Sequence, residues 1–270
     1  MRWPRVVACI GLLCLVCLGL QACSTETSRL DTLTQTEPDS TRLRAMRRLS
    51  LASAYFEQGQ NDIAQQEVRA ALQIDPKFAE AYSLLGLIHQ RDNAVVLAEQ
   101  SFEQGLQLAS LPLVRSADLA AIEHNYGWFL CQQNRFSEAQ IQLTRAVSQP
   151  GYRQVGKTWM ALGLCQVRAG ATSEARLSFQ HALAIEPSNA VSRYQWALLD
   201  WQDRQLSNAQ ATLAPLNAGE QVSAESLWLG IKIARALTQP HDLRKLSQQL
   251  TQQFPNSAQA TAWAQRKFED

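Results

Sequence analysis

Small and apolar residues recur along this chain at the spacing of paired amphipathic helices. From Arg42 onward the sequence is dominated by Ala, Leu, Gln and Arg, which favour helix, and β-branched runs are few. Four stretches align without gaps: LASAYFEQGQNDIAQQEVRAALQIDP (51–76), LGLIHQRDNAVVLAEQSFEQGLQLAS (85–110), YGWFLCQQNRFSEAQIQLTRAVSQPG (126–151) and LGLCQVRAGATSEARLSFQHALAIEP (162–187). Their starts are 34, 41 and 36 residues apart. The pattern predicts a repeated helical hairpin with an insertion at 111–119.

Small residues occupy the repeat positions at which two helices must approach each other closely. In the first helix of each pair they are Ala52, Gly86, Gly127 and Gly163, and in the second helix they are Ala64, Ala98, Ala139 and Ala175. Pro76 and Pro187 end second helices, because proline cannot continue a helix. This pattern resembles the tetratricopeptide repeat (TPR). A fifth and a sixth repeat are less regular, as expected of the terminal repeats of a solenoid.

We therefore predict an all-α fold, a right-handed α-solenoid of about six TPR hairpins, over residues 43–268. A C-terminal capping helix is expected to end near Phe268. The predicted repeats lie near 45–78, 79–112, 120–154, 156–189, 190–222 and 223–256.

The N-terminus has the organisation of a bacterial export signal. MRWPR is followed by the apolar run VVACIGLLCLVCLGL, which is short for a membrane span of roughly 20 residues. Residues 20–23, Leu-Gln-Ala-Cys, resemble the lipobox of bacterial lipoproteins. We predict that residues 1–22 are a cleaved signal peptide and that Cys23 is lipidated. The alternative is an ordinary signal peptide with an incidental cysteine.

The residues after Cys23 set the expected location of the chain. Ser24, rather than aspartate, follows the cysteine, which in lipoprotein sorting implies export to the outer membrane. Residues 23–42 are rich in Ser, Thr, Asp and Glu and are predicted to be a flexible lipidated tether, because they have too few apolar residues to bury. The expected location is the cell outer membrane, lipid-anchored and facing the periplasm.

Only two cysteines, Cys131 and Cys165, remain for the folded domain once the signal peptide and Cys23 are set aside. They fall near the ends of neighbouring first helices, so their Cα atoms could approach to the roughly 4.4 to 6.8 Å that a disulfide needs. Two buried thiols would also pack well. The oxidising periplasm favours the disulfide.

Composition and charge argue against several classes of function. With 46% hydrophobic and 18% charged residues the chain is neither disordered nor a polytopic membrane protein, and its near-neutral charge shows no nucleic-acid footprint. The four histidines fall in different repeats, and no HExxH, GxSxG, CxxC or phosphate-binding glycine motif is present. We therefore expect no enzyme activity, cofactor, metal site or small-molecule substrate.

The first helices are predicted to line a concave groove. Helix positions 2, 5, 9, 12 and 13 point away from the internal packing of a TPR hairpin, and large apolar residues occur there in four repeats. They are Leu49, Phe56, Leu87, Trp128, Met160 and Leu164. An exposed apolar patch usually marks a partner surface, so we predict that it binds a peptide segment, with Trp128 as an exposed anchor. The alternative is that the tether or the insertion covers it.

Several stretches are more specific than a TPR. They are NYGWFLCQQNR (125–135), PGY (150–152), GLC (163–165), LWLGIKIA (227–234) and FPNS (254–257). With the lipobox, they resemble the PilF/PilW family of type IV pilus biogenesis lipoproteins, also called pilotins. The resemblance implies a protein that binds the pilus secretin and promotes its outer-membrane localisation and multimerisation. It also supports pairing of Cys131 with Cys165.

The sequence leaves two other classes of function open. A periplasmic TPR adaptor lipoprotein, serving cell-wall hydrolases or outer-membrane protein assembly, would share the lipid anchor and the repeats but not the NYGWFLC stretch. An enzyme would need a clustered acid/base or metal set, which the sequence does not provide. The expected partners are the secretin and other pilus proteins.

Overall fold

The computed structural model describes residues 37–111 and 115–268 of the chain. The predicted signal peptide, the predicted lipid acceptor Cys23 and most of the predicted tether lie outside these residues. Within them the structure has thirteen helices and no strand. The predicted all-α TPR fold is confirmed.

The helices form six pairs followed by one short helix. The pairs are α1 (Glu37–Glu57) with α2 (Asn61–Ile74), α3 (Ala79–Arg91) with α4 (Val95–Ala109), α5 (Ser116–Gln132) with α6 (Phe136–Ser148), α7 (Val155–Arg168) with α8 (Thr172–Ile185), α9 (Ala190–Gln202) with α10 (Leu206–Asn217), and α11 (Ala224–Ala236) with α12 (Pro240–Gln253). The last helix is α13 (Ala258–Ala264). Below, "first helix" means the odd-numbered member of a pair.

The chain divides into two compact units. The first comprises the described residues up to Phe78, in which α1 packs against α2. The small residues predicted at this contact, Ala52 and Ala64, are fully buried. Arg42 closes the unit: its guanidinium lies 2.7 Å from the Asp75 carboxylate and 3.8 Å from the Phe78 ring centroid.

The second unit begins at Ala79 and contains the other five pairs and α13. Each first helix packs against its own partner and also against the next first helix, so that α3, α5, α7, α9 and α11 lie side by side. The C-terminal helix α13 packs against both α11 and α12. It covers the apolar residues of the last pair, which is what a terminal cap must do.

Glycines allow the close contact inside the hairpins. A Cβ atom added to Gly86 would lie 2.8 Å from the ring of Phe102, and one added to Gly163 would lie 2.5 Å from the ring of Phe179. Both phenylalanines are fully buried. Gly86 and Gly163 are therefore required because an aromatic ring from the second helix fills the space, and at Gly127 the side chain of Leu143 fills it instead.

Two helices begin earlier than the sequence pattern predicted. Helix α5 begins at Ser116, so the last four residues of the insertion at 111–119 belong to a helix instead of a loop. Asp118 stabilises this extra turn by accepting two hydrogen bonds of 2.9 Å from Arg115. Helix α1 begins at Glu37, within the segment predicted to be a flexible tether. The residue that follows, Pro38, is tolerated in a first turn because no N–H partner is needed there.

The capping helix also differs from its prediction. It ends at Ala264, not near Phe268. Arg266 adopts a left-handed conformation with φ of 55°, and the Lys267 N–H bonds to the Ala262 carbonyl at 2.9 Å. This is the hydrogen-bond pattern of a Schellman motif, which stops a helix and turns the chain back.

Candidate functional site

The predicted groove residues of the second unit occupy equivalent places on neighbouring first helices. Leu87 lies on α3, Trp128 on α5, and Met160 with Leu164 on α7; all four are partly buried. Leu87 and Trp128 pack against the core cluster that contains Phe102 and Phe129. Each side chain therefore has one side in the protein core and part of its surface accessible to solvent.

Trp128 is less exposed than the sequence indicated. It was expected to be an exposed anchor, but it is partly buried because it packs on the core cluster formed by the second, third and fourth hairpins. Its position is consequently held by the core. A rigid aromatic side chain loses little conformational entropy when a partner covers its remaining surface.

The other two predicted groove residues, Leu49 and Phe56, belong to the first unit. Both lie on α1 and both are partly buried. That the six residues form one continuous groove stays a prediction.

Polar side chains join α3 to α5 beside this apolar set. The Gln90 side chain donates a hydrogen bond of 2.6 Å to Gln132, and Asn125 donates one of 3.1 Å to Ser83. These bonds link the neighbouring first helices along their length. The relative position of Leu87 and Trp128 is thereby held by hydrogen bonds as well as by packing.

Cys131 and Cys165 form a disulfide in the structure. Their Cα atoms are 5.7 Å apart, within the usual range for disulfides, and both residues are buried. The bond joins α5 to α7 across a sequence separation of 34 residues. It therefore links the helix that carries Trp128 to the helix that carries Met160 and Leu164.

A buried polar network lies beneath the same two helices. The Thr158 hydroxyl is 2.8 Å from His124 Nδ1 and 3.1 Å from the Tyr152 hydroxyl. All three residues are buried. Burial lowers the pKa of His124 to about 4, with a smaller contribution from the positive charge of Lys157. His124 is therefore a neutral structural residue at neutral pH.

His124 falls at position 5 of its first helix, one of the positions predicted to point away from the internal packing of a TPR hairpin. Position 5 of the first helix is occupied by the buried His124 on α5 but by the partly exposed Met160 on α7. The repeat register alone does not distinguish the two. The PGY stretch that follows α6 was the available signal, because its Tyr152 covers this part of α5 through the shared contact with Thr158.

The same first-helix face continues over α9 and α11, which the sequence prediction did not include. At positions 5, 9 and 12 these helices carry Tyr194, Leu198, Trp201, Trp228, Lys232 and Arg235. Tyr194, Leu198, Trp228 and Lys232 line a cleft of about 350 Å³. The repeat register would have identified these residues if it had been applied beyond the four regular repeats.

The described part of the chain contains no cluster of side chains suited to hold a metal ion. Among residues 37–111 and 115–268, no group of three His, Cys, Asp or Glu side chains lies close enough to hold a metal ion. Every helix there is also too short or too polar to cross a bilayer. The site is a surface of apolar, aromatic and cationic side chains, which is suited to binding another protein.

Repeated pairs of helices with glycine contacts and a first-helix face give the chain a TPR-solenoid fold, and residues 52–93 match the TPR repeat family model. The chain is 25% identical over 209 residues to the type IV pilus assembly protein PilF of Pseudomonas aeruginosa, covering 77% of this chain and 80% of PilF. It is homologous to PilF. It is also 28% identical over 125 residues to a Haemophilus influenzae protein of uncharacterised function, covering 46% of this chain and 66% of that protein.

Solved structures agree with this relationship. The crystal structure of PilW, a type IV pilus biogenesis factor, matches with a TM-score of 0.68 at 26% identity, covering 82% of this chain and 98% of PilW. A structure of Pseudomonas aeruginosa PilF matches with a TM-score of 0.70 at 24% identity, covering 85% of this chain and 99% of PilF. The expected resemblance to PilF and PilW is confirmed, and the homologues are TPR proteins of type IV pilus assembly.

Proposed function

We propose that this protein is an outer-membrane lipoprotein of type IV pilus biogenesis that binds the pilus secretin. It promotes the localisation of the secretin to the outer membrane and its multimerisation, and it acts as a non-catalytic scaffold. The observation that carries the proposal is the homology to PilF across 77% of the chain. The lipobox at residues 20–23 and the first-helix face support it.

The first-helix face supplies the chemistry that a scaffold needs. Leu87, Trp128 and Met160 present part of their apolar surface on helices whose positions are held by packing, hydrogen bonds and the disulfide. A partner that covers such prearranged side chains gains apolar burial at little ordering cost. A secretin segment bound here would be carried to the outer membrane by the lipid on Cys23.

The experiment tests the lipid anchor and the membrane to which it is sorted with two separate variants. Cys23→Ala removes the proposed lipid acceptor, whereas Ser24→Asp keeps the acceptor and introduces the residue associated with inner-membrane retention. In cells that express the cognate secretin, we expect both variants to leave monomeric secretin in the inner membrane. The measurement is secretin multimers in separated membranes, resolved by gel electrophoresis without boiling.

Ser24→Thr is the matched control, because it preserves a small hydroxyl side chain at the sorting position. It should give normal secretin multimers in the outer membrane. Normal multimers in both Cys23→Ala and Ser24→Asp cells would contradict the proposal. Loss of the protein itself is checked by immunoblotting each variant.

A further inference from the structure

The chain places its own Phe268 on the first-helix face of the last hairpin. The Phe268 ring stacks on Trp228 with centroids 5.6 Å apart and an interplanar angle of 11°. Arg235 lies on α11, and its guanidinium is 3.9 Å from the Phe268 ring centroid. Trp263 meets the ring edge-on at 5.8 Å. An aromatic side chain in this position thus has an indole, a guanidinium and a second indole as neighbours.

The route of the chain explains how Phe268 reaches this place. The Schellman motif at Arg266 ends α13 and reverses the chain direction. The residues after the motif, Lys267 and Phe268, belong to no helix. Phe268 is held by side-chain contacts and remains partly exposed. A partner segment could therefore replace it without unfolding a helix.

The surroundings of Phe268 are cationic. Lys232 and Arg204 each lie about 6 Å from the ring of Trp201, at 5.9 and 6.0 Å. Within the described residues, the space that adjoins Phe268 is lined by Trp201, Lys232, Arg235 and Ala236 and by no acidic residue. A second opening beside Phe268 is lined by Arg235, Arg266 and Lys267. In the sequence, Phe268 is followed by Glu269 and Asp270.

The site is not filled by Phe268 alone. A volume of about 280 Å³ remains between Phe268 and Trp201, and the cleft of about 350 Å³ adjoins it through the shared residue Lys232. That cleft is lined by Tyr194 and Leu198 on α9, and its one acidic lining residue within the described part of the chain is Glu225 in the first turn of α11. The face has room for several residues of an extended segment on either side of one aromatic anchor.

We propose that this site, defined by Trp201, Trp228, Lys232 and Arg235, binds a protein segment in which an aromatic residue is followed by carboxylates. Phe268 is its resident occupant and is displaced by that segment. The stacked indole and guanidinium recognise the ring through π and cation–π contacts. The cations recognise the following carboxylates. The inference does not depend on the secretin as partner, and it adds a second interaction surface to the one around Trp128.

The test uses the full-length protein purified in detergent and a fluorescent peptide of residues 264–270, AQRKFED. In Phe268→Ala protein the site is vacated, and we expect the peptide to bind at least about fivefold more tightly than to the wild type. Replacing the phenylalanine of the peptide by alanine, or its two acidic residues by glutamine and asparagine, should each weaken binding by about fivefold or more.

Protein variants identify the site. Adding Arg235→Gln to Phe268→Ala should weaken peptide binding by about fivefold, whereas adding Arg153→Gln, at an exposed position in another repeat, should leave it unchanged. A second measurement uses the wild-type protein, in which Phe268 is present. Titration with the AQRKFED peptide should shift the NMR resonance of the Trp228 indole N–H. It should do so at a higher peptide concentration than in Phe268→Ala.

Three results would overturn the proposal. One is no peptide binding to Phe268→Ala protein that retains the wild-type circular dichroism, together with no shift of the Trp228 resonance in the wild type. Another is equal binding of the alanine-substituted peptide, which would reduce the site to a nonspecific cationic surface. The third is equal loss of binding with Arg153→Gln and Arg235→Gln, since the interaction would then not be local.

Discussion

Gly163 is the position at which one methyl group tests the packing of the fourth hairpin. It lies on α7 and faces Phe179 on α8. A Cβ atom at Gly163 would lie 2.5, 2.7 and 2.9 Å from three carbon atoms of the phenyl ring. Phe179 is fully buried and packs in a cluster with Ala175 and Leu199, so the ring cannot turn aside into solvent.

The expected cost of Gly163→Ala follows from two opposing effects. Alanine is favoured over glycine within a helix by about 1 kcal/mol. Overpacking a filled core costs about 1–3 kcal/mol. Because the contacts with Phe179 are far shorter than ordinary van der Waals separations, we expect the second effect to dominate. The variant should be destabilised by about 1–2 kcal/mol, which lowers the melting temperature by roughly 2–4 °C per kcal/mol.

The assay is urea unfolding followed by circular dichroism, under non-reducing conditions. Gly156→Ala is the matched control in the same helix, because the three atoms nearest its added Cβ all belong to the side chain of the exposed Glu186, which can move away. Gly156→Ala should be neutral or stabilising. The double variant Gly163→Ala/Phe179→Leu should lose less stability than the sum of the losses measured for the two single variants, because leucine leaves room for the methyl group.

Gly163→Ala with the stability of the wild type would refute this reasoning. So would additive losses in the double variant. Either result would mean that the added methyl group does not press against the Phe179 ring. The small residue at this repeat position would then have no packing role.

Three further outcomes follow from other parts of the molecule. Trp128→Ala should weaken capture of the pilus partner by about 1 kcal/mol or more without unfolding the protein. Leu177 is 59% exposed on α8, and Leu177→Ala should leave capture unchanged. Equal capture by the two variants would refute the groove assignment. Thiol labelling of the denatured, unreduced mature protein should find Cys131 and Cys165 unreactive, and reduction should cost about 2–4 kcal/mol in unfolding free energy; two reactive thiols would exclude the disulfide. Burial lowers the pKa of His124 to about 4 in the folded protein, whereas in the unfolded chain the histidine keeps its ordinary pKa of about 6.5. Between these two values the unfolded chain binds more protons, so the free energy of unfolding should fall as the pH decreases from about 6.5 to 4. A His124→Gln variant with the same pH dependence would contradict this.

The repeat architecture was predictable because its determinants are local. Helix-forming residues, the small residues at the hairpin contact and the prolines after second helices each act within a few positions of the chain. The structure matches them at Gly86 and Gly163, where an aromatic ring from the second helix leaves no room for a side chain.

Helix ends and side-chain exposure were less predictable. Helix α5 begins at Ser116 because Asp118 pairs with Arg115, a contact that depends on side chains and not on the repeat period. His124 and Met160 have the same repeat position, yet only His124 is buried. The difference comes from Tyr152 and Thr158, which differ from repeat to repeat and meet His124 only in the folded chain.

By itself, the sequence determined that the fold is all-α, how many helices it has and how they pair, because periodicity and small-residue spacing are properties of neighbouring residues. It also indicated the relationship to PilF. The tertiary structure decided which first-helix residues remain accessible, and it brought Phe268 against Trp228 and Arg235. Those contacts join residues more than thirty positions apart through a chain reversal at Arg266, and burial and charge there depend on every helix that packs nearby.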